Sequence, residues 1–203
     1  MPLVAIPPDP RELKMPAAFL VSTAVVALAE IGDKTQLLAL LLTTRFRRPL
    51  PIVAGILFAT LANHALAGMA GEWLAHRIDS DMLRWILGGS LLLVAAWALK
   101  PDNLDDAQQP AGRYGVFSVT LISFFLVEIG DKTQVATVIL AAQYQALVAV
   151  VLGTTLGMML ANVPVVLVGN ALAHRIPIKG VRIAAATGFL VLGILAFAGI
   201  GIA

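Results

Sequence analysis

The sequence predicts an all-α integral membrane protein with six transmembrane helices, arranged as two inverted-topology repeats of three helices each. Three observations carry that fold class. The 203 residues are 59% apolar and 13% charged, with a mean hydropathy of +0.90, whereas a soluble domain is nearer half apolar and a quarter charged. Uncharged stretches of about 20 residues, enough to cross a ~30 Å hydrocarbon core, recur along the chain. One charged heptapeptide occurs twice. The same composition excludes other classes. The formal charge is only +2, with no basic run beyond Arg45, Arg47 and Arg48, so no nucleic-acid partner is expected. The chain has no cysteine, which excludes disulfides and Cys-ligated zinc or iron–sulfur sites.

Residues 1–14 are Pro-rich and polar with no apolar run, and read as a disordered extension rather than a signal peptide; Met15-Pro16 echoes Met1-Pro2 and marks an alternative start. The first repeat is expected over residues 15–99. Its first span covers 15–44 across a charged interruption, its second 49–71, and its third 85–99, where Trp85 and Trp97 suit the headgroup regions. A cytoplasmic linker follows at 100–113. The second repeat, 114–203, begins with a span running past a second interruption. The long stretch from Thr133 to Ala173 is expected to turn near Gln143, Tyr144 and Gln145, and a last span covers 183–203. Continuous apolar runs of this length are not barrel strands.

Orientation follows from the basic residues outside the spans. Arg11, Lys14, Arg77 and Arg84 lie on one side; Arg45, Arg47, Arg48, Lys100, Arg113, Arg175, Lys179 and Arg182 lie on the other. The excess marks the cytoplasmic face, so both termini are expected in the periplasm of a bacterial inner membrane.

The heptapeptide Glu30-Ile31-Gly32-Asp33-Lys34-Thr35-Gln36 returns unchanged as Glu128 to Gln134, an offset of 98 residues. The same offset carries Leu74 to Ile78 onto Leu172 to Ile176, and Arg84 onto Arg182. A single offset over three spans indicates duplication. Three is odd, so the second copy enters the membrane from the opposite side. Transporters use such inverted repeats, with the substrate held near the midplane where the repeats meet.

Four acids fall mid-span: Glu30, Asp33, Glu128 and Asp131. Each costs about 2.5–3.5 kcal/mol at the bilayer centre on insertion scales. On a continuous helix Glu30 and Asp33 share a face, as do Glu128 and Asp131. Joining the repeats gathers four carboxylates around one point, an oxygen cage of the kind hard divalent cations take. With Lys34 and Lys132 the set sums to −2, which one divalent ion neutralises. Protons occupy such a site when the metal leaves.

The other motif residues tune or pack this centre. Gly32 and Gly130 either allow close approach or unwind the helix locally. Lys34 and Lys132 stand four residues after Glu30 and Glu128, in the favourable order for an ion pair. Thr35 and Thr133 are expected to point away from the acids and bond the carbonyl four residues back, while Gln36 and Gln134 lie at the edge of the site. Asn63, His64 and Asn162 are mid-span; the amides serve as ligands or as interhelical bonds, and His64 as a metal ligand or proton relay. Gly153 and Gly157 form a packing GxxxG.

The doubled Glu-Ile-Gly-Asp-Lys-Thr resembles the hallmark of a family of small membrane proteins found from bacteria to the Golgi and chloroplast, with two copies of E-x-G-D-(K/R)-(T/S). Their members are regarded as manganese or calcium transporters, mostly proton-coupled exchangers. The resemblance spans residues 15–203 and implicates Glu30, Gly32, Asp33, Lys34 and Thr35 with Glu128, Gly130, Asp131, Lys132 and Thr133. It implies export of Mn²⁺, with Ca²⁺ as a second substrate, in antiport with H⁺; the metal is cargo and no cofactor is expected. An exporter of cationic amino acids, a membrane-embedded carboxylate enzyme and a scaffold are the alternatives. The partners expected are the lipid bilayer, a divalent ion and protons.

Overall fold

The computed structural model describes residues 10–100, 115–168 and 178–199. It is helical throughout, with no strand among the described residues. Among the described residues eight helices follow in order: α1 (Pro10–Glu30), α2 (Lys34–Phe46), α3 (Pro49–Ala75), α4 (Ser80–Ala98), α5 (Val116–Glu128), α6 (Lys132–Tyr144), α7 (Leu147–Val168) and α8 (Ile178–Phe197). The linker at 101–114 and the segment Leu172 to Ile176 lie outside the described residues, as does most of the N-terminal extension.

The helix boundaries follow local chemistry. α1 begins at Pro10, inside the stretch 1–14 that the sequence reads as an extension. Proline fits the first turn of a helix, where its missing N–H has no partner to lose. α3 opens on Pro49 for the same reason. α4 is capped by Asp79, whose side chain accepts from the Met82 N–H at 2.9 Å. α2 and α6 both end on left-handed residues, Arg47 and Gln145, each at φ 51° and each closing back on the carbonyl four residues earlier. These two positions are again 98 apart. The turn expected near Gln143 to Gln145 is the α6–α7 junction.

Three helices, α3, α4 and α7, are long and apolar enough to cross a membrane; α1 and α2, bent by 69° at their junction, make a fourth span if counted as one. α5 and residues 182–197 of α8 are shorter apolar helices. Large apolar side chains face outward, among them Leu93, Leu160 and Leu167, while Glu30, Asp33, Glu128 and Asp131 are buried. A surface of leucine around a core of carboxylates is the reverse of a water-soluble fold and suits lipid. The chain is a multi-pass membrane protein.

The packing crosses between the halves. α1 lies chiefly on α7, α3 on α5 and α6, and α4 on α8. Small residues set the closest approaches. A Cβ on Gly153 would stand 2.5 Å from the Phe19 carbonyl oxygen, and one on Gly55 would stand 2.9 Å from that of Phe117; the 98-residue offset carries Gly55 onto Gly153 and Phe19 onto Phe117. Gly157 meets the Thr23 carbonyl in the same way, at 2.6 Å, so the GxxxG pattern is a packing face. Gly153→Val is therefore expected to lower the thermal stability of the detergent-solubilised protein, by about 1–3 kcal/mol of overpacking, because backbone on α1 has to move. An unchanged melting temperature would refute that contact.

Candidate functional site

Each heptapeptide stands at a break between two helices. Glu30 is the last residue of α1 and Asp33 the N-cap of α2; Glu128 ends α5 and Asp131 caps α6. The shared helix face expected for each acidic pair is thus corrected: no continuous helix runs through the motif. Gly32 and Gly130 explain why, since they take φ of 79° and 73°, a left-handed backbone that costs other residues about 1–2 kcal/mol. In each copy two freed N–H groups are satisfied within the motif. The Asp33 and Asp131 N–H groups each reach the carbonyl of the preceding glutamate at 3.1 Å. The Gly32 and Gly130 N–H groups donate to the side-chain oxygens of Gln36 and Gln134, at 2.8 and 2.7 Å.

The turn aims the acids inward. Glu30, Asp33 and Asp131 each present a carboxylate oxygen, all within 4.8 Å of one another, and each is fully buried. Glu128 is equally buried, beside His64, whose Nε2 lies 3.9 Å from Glu128 Oε1. Thr35 donates to Glu30, and Thr133 to Glu128 at 2.5 Å. This corrects the outward orientation expected of the threonines: once the helix is broken, the residue five places on comes back over the glutamate.

The lysines cross. Lys132 Nζ sits 2.5 Å from Asp33 Oδ1, and Lys34 Nζ sits 3.1 Å from Asp131 Oδ1. Pairing with Glu30 and Glu128 four residues back is corrected accordingly; without an intact helical turn that geometry is lost, and each ammonium reaches the aspartate of the other half. The two pairs differ in setting, Lys132 being buried and Lys34 partly exposed.

Around this centre, Gln36 donates to the Ala161 carbonyl at 2.8 Å, and Gln134 approaches Asn63 Oδ1 at 3.4 Å. Positions 161 and 63 are themselves 98 apart. Asn63 also donates to the Phe125 carbonyl at 3.0 Å, an interhelical bond. Asn162 donates to the Met158 carbonyl at 3.1 Å, while its Oδ1 is buried without a hydrogen-bond partner among the described residues. Both ring nitrogens of His64 are in the same condition. The sequence reading uses Arg182 for orientation and for the repeat register, not for the site; here its guanidinium donates to the Gly32 carbonyl at 3.3 Å. The signal available was its register with Arg84, which instead pairs with Asp81 at 3.4 Å.

The family model for the divalent cation/proton antiporter GDT1 matches residues 18–106 and 116–200, so both halves and both motif copies are covered. The chain belongs to the GDT1 family. Within it, a Vibrio cholerae protein described as "Putative manganese exporter" is 51% identical over 190 residues, covering 93% of this chain and 94% of its own length. A "GDT1-like protein 5" of Arabidopsis thaliana is 31% identical over 215 residues, covering 87% and 93%. No solved structure matches the chain. A GDT1 protein is a transporter of divalent cations, and the cation is its substrate.

Proposed function

We propose that this GDT1 protein exports Mn²⁺, with Ca²⁺ as a second substrate, in exchange for H⁺, through a site formed by Glu30, Asp33, Glu128 and Asp131. The observation that carries the proposal is the convergence of carboxylates from both motif copies inside an apolar bundle. The Vibrio relative's description supports manganese. The six apolar units act as six spans, with the pairs α1–α2 and α5–α6, each broken at its motif, as the first span of each of two inverted repeats. The protein lies in a bacterial inner membrane with both termini periplasmic.

Four carboxylates and two ammonium groups carry a net −2, so a divalent ion neutralises the site. The ion competes with Lys34 and Lys132 for the aspartates, which lets the lysines hold the empty site together. Rocking of one repeat against the other exposes the centre to each side in turn. Protons arriving from the periplasm neutralise the carboxylates and release the metal. Gly32 and Gly130 shape the turns, while Thr35 and Thr133 orient the glutamates.

Everted membrane vesicles carrying a pH gradient test this reading. Addition of Mn²⁺ is expected to collapse the gradient, Ca²⁺ to do so more weakly, and Asp131→Asn to abolish the response. A gradient indifferent to every divalent ion, with intact protein present, would sink proton-coupled exchange.

A further inference from the structure

His64 is fully buried on α3, and neither ring nitrogen has a hydrogen-bond partner among the described residues. A neutral imidazole has one N–H to donate and one lone pair to fill, and leaving both unmet in an apolar bundle costs free energy. A buried histidine with only a structural role normally donates to a carbonyl. This one faces Glu128 instead, with Nε2 3.9 Å from Oε1, too far for a hydrogen bond. Two donors held at about 2.1 Å by one octahedral ion stand roughly 3 Å apart when adjacent and 4.2 Å apart when opposite, so a gap of 3.9 Å is brought to a shared ion by a small side-chain shift. The His64–Glu128 gap has the span of a shared ion.

We infer that His64 is a nitrogen ligand of the transported ion, paired with Glu128, and that it makes the site select Mn²⁺ over Ca²⁺ and Mg²⁺. The inference rests on the proposed function and adds the ligand that sets its ion preference. Calcium and magnesium are hard cations that take oxygen donors, whereas imidazole suits first-row transition metals. Replacing one oxygen by nitrogen favours Mn²⁺ over Ca²⁺ even though Mn²⁺ is the weakest binder of its row. The two halves are not equivalent here. The repeat-related residue is Asn162, whose side-chain oxygen is also buried and unpartnered. One half therefore offers nitrogen where the other offers oxygen.

Pulsed electron paramagnetic resonance on the purified full-length protein loaded with Mn²⁺ tests the ligand directly. Imidazole-nitrogen modulation is expected on the bound ion, changed by ¹⁵N-histidine labelling and absent in His64→Asn. In proteoliposomes, Ca²⁺ is expected to compete with Mn²⁺ uptake at least about tenfold better in His64→Asn than in wild type. Asparagine is chosen because the other half already carries it at the matching position. Mn²⁺ bound by wild type without nitrogen coupling, or an unchanged competition ratio, would overturn the inference and leave the exporter reading standing. Wild type that binds no Mn²⁺ at all would overturn both.

Discussion

Glu30→Gln is expected to abolish Mn²⁺-dependent proton movement while leaving the protein folded. The substitution keeps the side chain's shape and an oxygen for Thr35, which donates to Glu30, and removes one charge from the centre. Unit charges about 4 Å apart interact by roughly 4 kcal/mol at an effective dielectric of 20, and an ion of charge two feels the loss doubly. Lower desolvation cost offsets part of this, leaving a drop on the order of 100-fold or more in transport at limiting Mn²⁺. Stability is expected to hold or rise, since a buried carboxylate with an unpartnered Oε1 becomes a neutral amide. Transport assayed beside a thermal melt separates these effects. Wild-type transport by well-folded Glu30→Gln would remove Glu30 from the site.

The second large effect falls on the crossed pair. Lys132→Met takes away the ammonium that stands 2.5 Å from Asp33 and leaves that carboxylate buried without it. Breaking one side of a buried pair costs about 3–5 kcal/mol, which for a chain of this size is a fall of roughly 6–20 °C in melting temperature. Lys132→Met combined with Asp33→Asn is expected to regain most of that stability, because neither partner then remains charged, and to stay inactive. Additive losses in the double variant would show that the two residues do not depend on each other. Lys34→Met is expected to be milder, as Lys34 is partly exposed and its contact with Asp131 is longer, 3.1 Å.

Much of the architecture was legible in the residues. Long apolar runs marked α3, α4 and α7, the rise in polarity at Gln143 to Gln145 marked the α6–α7 turn, and the acids mid-span marked the buried carboxylate cluster. What stayed hidden turned on Gly32 and Gly130. Glycine serves tight helix packing and a left-handed turn equally well, so the letters did not say which. With an intact helix assumed, Lys34 belonged to Glu30 and Thr35 faced away. Once the helix breaks, both assignments change. The crossing of the lysines depends on how the halves face each other, which periodicity within one span does not carry. Arg182 was hidden for a related reason: its partner is a backbone carbonyl, exposed only by the break.

That crossing also bears on how the protein is made. Asp33 and its ammonium partner Lys132 are 99 residues apart in the chain. At about 5–20 residues per second of synthesis, the ribosome delivers Lys132 roughly 5–20 s after Asp33. For that interval α1 and α2 already exist while the opposite charge does not, and α1 also lacks α7, the helix it chiefly lies on. The first half therefore waits for both its charge partner and its packing helix, and its packing is complete only when the second half arrives.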